Sequence, residues 1–193
     1  MRERAQRVQQ ARMGALSARA FADLHTGRRC AWYAGDAHPL RREGGLRMVA
    51  VVEFVAVLSC MLFVGAAIYI SLVEHPARMG GETKIAATVW ALSYKRATLM
   101  QAPLAIVSFL AGVGVWLLGG GIAWLVGAVL IGLVVPFTFI AIMPTNHQLL
   151  APGRDLASTE TRMLVEKWGR LHAVRSVLSL LASVLFLSLL LKA

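Results

Sequence analysis

The chain has 193 residues, of which 58% are hydrophobic and 16% are charged, and its formal net charge is +10. This composition is too apolar for an ordinary soluble domain of this length, so we expect a membrane protein. Its two cysteines, Cys30 and Cys60, lack the spacing of a zinc site or a disulfide framework and predict no function.

Residues 1–47 differ from the rest of the chain in charge. They contain ten arginines, no lysine and four acids, and therefore carry +6 of the net charge. We expect an Arg-rich, disordered tail, which could bind anionic lipid or nucleic acid or act as an organellar transit peptide. The alternative is that translation begins at Met48, in which case the tail does not belong to the native protein.

Residues 48–193 contain four apolar stretches, each long enough to cross about 30 Å of hydrocarbon as a helix. These stretches are residues 48–72, 97–118, 122–143 and 172–191. Alternation of apolar and polar residues is absent from them, which disfavours a transmembrane barrel. The sequence therefore predicts an all-α, integral membrane four-helix bundle, with short helices in the first and third interhelical loops.

Hairpin topology places one end of every span on the same membrane face, and polar residues gather at these ends. Because Pro76 disfavours helix at the residue before it, we expect the first helix to end near His75. In the second span, Trp90 and Tyr94 have the spacing of an interfacial aromatic belt, and Gln101 lies deeper.

The other two polar groups are compact motifs. In MPTNHQLL, Pro144 predicts the end of the third span, where Asn146 can cap a following short helix. The fourth span carries one polar stripe at helical spacing, formed by Trp168, His172, Arg175 and Ser179. An ionised arginine is costly in hydrocarbon, so this stripe should face the bundle interior or reach the headgroups.

Three histidines, His75, His147 and His172, lie near these converging helix ends together with Glu74. Imidazole and carboxylate groups bind transition metals or perform acid–base chemistry near neutral pH. The same residues also suit contacts with headgroups, and helix capping alone explains Asn146. Catalytic, metal-binding and structural interpretations of the residues therefore all remain open.

The combination of three motifs resembles the anthrone oxygenase-like family of small four-span membrane proteins. The motifs are EHPAR after the first span, PTNHQLL after the third, and WGRLHAVRS leading into the fourth. The resemblance covers residues 48–191 and excludes the tail. It implies, for some members, oxidation of a polyketide anthrone to its anthraquinone, with dioxygen as co-substrate and no dedicated cofactor.

For chemistry of this kind, we expect His172 to act as the base, with Asn146 and Arg175 stabilising the developing oxyanion. The residues expected to bind the substrate are His75, Gln101, His147 and Trp168. No metal ligand is assigned. The expected partners are the lipid bilayer and a hydrophobic aromatic small molecule, and nucleic acid is not among them.

Two rival functions follow from the same residues. One is a non-catalytic membrane protein whose polar cluster is structural or binds lipid. The other is a bundle that holds a metal or haem through His75, His147 or His172. We expect a multi-pass protein of a bacterial plasma membrane, while the sequence leaves the orientation and the oligomeric state open.

Overall fold

The structure, a computed structural model, describes residues 39–192, with side chains from Gly45 onward. Most of the predicted tail and Cys30 lie outside these residues. The first helix begins at Pro39, before the expected boundary at Met48. The compact unit that carries the four spans begins at Leu46.

The secondary structure of residues 39–192 is helical, without a strand, as the sequence predicts. Four helices are long and apolar enough to cross a membrane: Gly45–Met79, Thr83–Gly120, Ile122–Leu149 and Thr159–Leu190. Large apolar side chains cover their outer surface, and Leu99 and Ile140 are each 78% exposed. An apolar surface of this extent indicates a membrane protein.

The first three long helices are built from α-helical segments joined to π-helical turns, whereas the fourth is one α-helix. The first contains Pro39–Tyr69, the π-turn Ile70–Glu74, and His75–Met79. The second contains Thr83–Val115 and the π-turn Trp116–Gly120. The third contains Ile122–Gly132, Val134–Phe137, the π-turn Thr138–Ile142, and Met143–Leu149.

The first and third helices do not end at Pro76 and Pro144, which corrects that expectation. A proline inside an α-helix lacks an N–H donor and its ring crowds the preceding turn. A π-turn stands directly before each proline-containing segment, and its wider hydrogen-bond spacing accommodates the ring. The predicted short helices are therefore His75–Met79 and Met143–Leu149, which continue the long helices.

The second and fourth helices begin earlier than predicted, at Thr83 and Thr159. Ser158 caps the fourth helix, because its Oγ accepts a hydrogen bond from the Thr161 backbone N–H at 3.2 Å. Arg162 then ties this helix to the end of the first by donating to the Met79 carbonyl at 2.8 Å. These extensions place the polar motifs on helices rather than on loops.

The opposite end of the bundle is closely packed and largely apolar. Gly119 and Gly121 adopt φ angles of 95° and 87° in the turn between the second and third helices, a conformation that favours glycine. Just inside this turn, Phe186 is fully buried and stacks on Trp124 with ring centroids 5.2 Å apart. A Cβ atom on Gly127 would lie 2.7 Å from Phe186 Cδ1, so glycine is what lets the helices approach.

Candidate functional site

At the polar end, side chains of the first, second and fourth long helices meet. Ser71 Oγ lies 3.0 Å from His172 Nδ1, which joins the first helix to the fourth. Arg175 Nη2 donates to Gln101 Oε1 at 3.0 Å, which joins the fourth to the second. The convergence that the hairpin topology predicts is thus present for the first, second and fourth helices.

Trp168 is the centre of an aromatic cluster at this end. It stacks on His172 with ring centroids 4.8 Å apart, and it contacts His75 at 5.8 Å and Trp90 at 5.9 Å. Trp90 in turn stacks on Tyr94 at 5.3 Å. The cluster holds the His172 ring in one plane, as a site that uses this imidazole requires.

Hydrogen bonds around His172 favour one tautomer of its ring. Ser176 Oγ donates to the Ala67 carbonyl at 3.1 Å, and Ser71 Oγ lies 2.8 Å from Ser176 Oγ. Every donor finds an acceptor if His172 Nδ1–H donates to Ser71 and Ser71 donates to Ser176. The opposite arrangement leaves a proton on Nε2, for which the described residues supply no acceptor. In the tautomer with the proton on Nδ1, Nε2 is free to accept a proton.

Two guanidinium groups and one carboxylate supply the charge of the site. Arg78 is 8% exposed, forms an ion pair with Glu74, and lies 5.8 Å from the Trp168 ring centroid. Arg175 lies 5.6 Å from the Phe63 ring centroid. Both contacts fit the attraction between a cation and an aromatic face. Within this group the positive charges outnumber the negative, which favours an anionic ligand or intermediate.

These side chains line a narrow polar cavity of about 20 Å³. Its chemically active lining consists of Glu74, Arg78, Tyr94, Gln101, His172 and Arg175, with Trp90 and Trp168 as aromatic walls. A concave site with a few convergent polar groups is the usual form of a small-molecule site. The cavity is therefore the strongest candidate for a binding or active site among the described residues.

A second, apolar cavity of about 100 Å³ adjoins the polar cavity. The two cavities share four lining residues, Tyr94, Thr98, Gln101 and Arg175. Phe63, Ala105 and Val134 form part of its apolar wall. The lining of the two cavities is therefore apolar over most of its extent and polar at one end.

Polar side-chain atoms without a hydrogen-bond partner are concentrated at this end of the bundle. They include Arg175 Nε, Gln101 Nε2, Arg78 Nε and Nη1, and both polar atoms of the Asn146 amide. A buried polar group without a partner costs free energy, and such groups are rare in folded proteins. Gln101 and Arg175 therefore have free donors beside the cavity lining, available to a bound ligand.

Comparison with known proteins identifies relatives of this chain. The family model for anthrone oxygenase matches residues 90–185, about half of the chain. Anthrone oxygenase tpcL of Aspergillus fumigatus is 39% identical over 70 residues, which cover 35% of this chain and 44% of that protein. The chain belongs to the anthrone oxygenase-like family.

A second relative extends the similarity along the chain. Anthrone oxygenase of Claviceps purpurea is 28% identical over 153 residues, which cover 73% of this chain and 86% of that protein. The match to the Aspergillus protein, in contrast, spans less than half of that relative. No solved structure matches the chain. The match to the anthrone oxygenase-like family includes Tyr94, Gln101, His172 and Arg175, and it leaves Ser71 and Arg78 outside.

Four of the predicted site residues line the polar cavity: His172, Arg175, Gln101 and Trp168. The other three lie elsewhere. His75 packs against the backbone of Gly169, where a Cβ atom would overlap its ring, and His147 is exposed. Asn146 is fully buried but lines neither cavity.

Asn146 also does not cap the helix Met143–Leu149, which corrects the capping interpretation. The N-terminal boundary residue of that helix is Ile142, and no side chain caps it. Because the chain is already helical through the preceding π-turn, the backbone N–H groups there have partners within the helix. The amide of Asn146 must therefore have a different role.

The residues of the site that were not predicted as functional include Ser71, Arg78 and Tyr94. Tyr94 shares a helix face with Trp90, Gln101 and Ala105, and this spacing could have revealed it as a lining residue. Ser71 had no such signal, because only the packed bundle shows which hydroxyl meets His172. Among residues 39–192, no group of three or more His, Cys, Asp or Glu side chains could hold a metal ion.

Proposed function

We propose that this chain is a multi-pass membrane oxygenase that oxidises an anthrone-type aromatic substrate with dioxygen. The observation that carries the proposal is the position of His172 and Arg175 in a polar cavity beside an apolar one. Two relatives that bear the name anthrone oxygenase support the reaction class. The four long apolar helices support the membrane location.

The substrate would lie across both cavities. Its fused rings would contact Phe63, Ala105 and Val134, whose surfaces are apolar. Its carbonyl oxygen would point toward Arg175 and Gln101, which lie where the cavities meet. This placement matches the polarity of the molecule to that of the wall at each end.

The first chemical step would be removal of a proton from the ring methylene of the anthrone. Nε2 of His172 is the acceptor, because its Nδ1 is engaged by Ser71. The electron pair left behind is delocalised onto the carbonyl oxygen. The free N–H donors of Arg175 and Gln101 would stabilise this oxyanion, and such donors act most strongly where water is excluded.

Dioxygen would then react with the electron-rich ring carbon to form a carbon–oxygen bond, giving a peroxide that takes up the proton held by His172. Loss of the second methylene proton breaks the oxygen–oxygen bond and forms the new carbonyl, with departure of water. One anthrone and one dioxygen thus give one anthraquinone and one water. Dioxygen is the only co-substrate this scheme requires.

The compartment remains a separate proposal. Both relatives are fungal, so they give no support to the expected bacterial plasma membrane. An apolar substrate that partitions into lipid would reach the protein in whichever membrane holds it. We therefore propose an integral location in a membrane, with no compartment assigned.

The test is oxygen consumption by the purified protein in phosphatidylcholine vesicles supplied with dithranol, a dihydroxyanthrone. The wild-type protein should consume oxygen faster than protein-free vesicles, and His172→Ala should lose this excess. His147→Ala should retain it, because His147 is exposed and lines neither cavity. Equal rates for wild type and His172→Ala would refute the role of the base.

The same preparation separates catalysis from a structural role of the polar cluster. If the cluster only holds the helices together, Arg175→Ala will lower the melting temperature in detergent. In that case neither dithranol nor anthraquinone will shift the melting temperature of the wild-type protein. A shift with either compound, together with oxygen uptake, supports the oxygenase.

A further inference from the structure

A third space, which is apolar, lies on the outer surface as a groove between the second and third long helices. Its volume is about 380 Å³. Ala105 and Phe109 line it from the second helix, and Gly132, Val135 and Pro136 line it from the third. Ile106 and Leu133 at its rim are 48% and 46% exposed.

The groove lies where the third helix is interrupted. Near their connecting turn the second and third helices are close: a Cβ atom on Gly112 would lie 3.0 Å from Ala128 Cβ. Farther along, the α-helical segment of the third helix ends at Gly132. A new segment begins at Val134, two residues before Pro136. Proline interrupts the helix here. The floor of the groove is nevertheless closely packed, because a Cβ atom on Gly132 would lie 2.7 Å from Phe109 Cδ2.

Lining residues connect the groove with the candidate site. Ala105 and Val135 line both the groove and the apolar cavity. The apolar cavity in turn shares Gln101 and Arg175 with the polar cavity. The three spaces therefore follow one another along the second helix, from Phe109 on the surface to Gln101 inside. At 1.5 Å of rise per residue, this separation is about 12 Å along the axis.

The chemistry of the groove suits a lipid-soluble aromatic molecule. Its named lining consists of aliphatic and aromatic residues, and it lies within the long apolar helices Thr83–Gly120 and Ile122–Leu149 rather than near the charged loops. Such a position faces acyl chains, where an apolar substrate accumulates. A polar substrate would enter from the water side instead.

We propose that this groove is a lateral portal, through which the aromatic substrate passes from the bilayer into the apolar cavity. The inference rests on the proposed function for the identity of the substrate. The Phe109 ring packs on Gly132 and must rotate to admit the ring system, whose oxygenated end then meets Arg175 and Gln101 at the inner end. Ile106 and Leu133 flank the entrance and limit its width.

The first test measures entry through activity. Ile106→Trp and Leu133→Trp add bulk at the rim without touching the polar cavity, and Leu99→Trp and Ile140→Trp are matched controls on the same two helices, outside the groove. With dithranol in vesicles, the rim variants should lower kcat/KM by about 10-fold or more through slower association, with kcat preserved. The control variants should match the wild type.

The second test does not depend on oxidation. Anthraquinone, whose photoexcited carbonyl abstracts hydrogen from neighbouring C–H bonds, is irradiated with the wild-type protein in vesicles, and the adducts are mapped by peptide mass spectrometry. Adducts should concentrate on the segments 105–109 and 132–136 and decrease in Leu133→Trp. Adducts spread evenly over the outer helix faces would overturn the portal, because they would show a groove filled by acyl chains only.

The two tests distinguish failure of the portal from failure of the function. Oxygen uptake with all four tryptophan variants at wild-type kcat/KM would refute the portal and leave the oxygenase standing. Absence of oxygen uptake by the wild type, with adducts in the groove, would refute the oxygenase and retain a lateral entrance for an aromatic ligand.

Discussion

His172 illustrates how neighbouring residues prepare a side chain for chemistry. Its ring is stacked on Trp168, and its Nδ1 is 3.0 Å from Ser71 Oγ. Neither contact carries the reaction, but together they fix the plane and the tautomer of the base. Partners of this kind in other sites contribute substantially to activity although they do not touch the substrate.

Ser71 should therefore act as a positioning residue. We expect Ser71→Ala to lower kcat by about 10-fold, whereas loss of a general base in His172→Ala costs about 10²–10⁴-fold. Ser71→Thr keeps the hydroxyl group and should recover most of the rate. Initial rates of oxygen uptake measure both effects, and an equal loss in Ser71→Ala and Ser71→Thr would contradict a role for the hydroxyl.

Gln101 offers a second test at the residue scale. Its Oε1 accepts from Arg175, while its Nε2 has no partner. Gln101→Met preserves the length of the side chain and removes the donor, so kcat should fall by about 10²-fold if this donor stabilises an oxyanion. The melting temperature in detergent is the control, and a large decrease there with unchanged kcat would make Gln101 structural.

Asn146 is buried with both polar atoms unpartnered. Since an unpaired buried polar group costs about 1–3 kcal/mol, Asn146→Leu should raise the stability by roughly that amount. If the amide serves the reaction, as expected from the sequence, kcat should fall at the same time. Thermal unfolding in detergent and oxygen uptake measure the two effects, and a decrease in stability would refute the premise that the amide lacks partners.

At the scale of the helix, packing at the closed end depends on glycine. A Cβ atom on Gly127 would press on Phe186, which is fully buried against Trp124. Gly127→Ala should therefore destabilise the protein by about 1–3 kcal/mol. Gly65→Ala is the matched control, because nothing lies within 4 Å of its Cβ position. Equal melting temperatures for the two variants in detergent would contradict this account of the packing.

The helices also show where the sequence was informative and where it was not. The stripe on the fourth helix was predictable, because residues three and four apart share a face, and Trp168, His172 and Ser179 are indeed buried. The ends of the first and third helices were not. Proline was expected to stop each helix, but a preceding π-turn accommodates it, and such turns leave no simple signal in the sequence.

At the scale of the molecule, hydropathy and hairpin topology were sufficient to predict four helices with their polar ends together. They could not show that Gln101 meets Arg175 or that Ser71 meets His172, because such contacts depend on the rotation of each helix about its axis. They also could not separate Asn146, outside both cavities, from its neighbours in the predicted site. Cavities arise from packing defects between helices, and a one-dimensional pattern does not record these.

The central claim is that this protein inserts an oxygen atom from dioxygen into an anthrone ring. The direct measurement supplies isotopically labelled dioxygen and dithranol to the protein in vesicles and analyses the product by mass spectrometry. We predict an anthraquinone with one labelled carbonyl oxygen, formed faster than in protein-free vesicles and at the background rate with His172→Ala. Product formation by the wild type at the background rate, or with oxygen from water, would contradict the account.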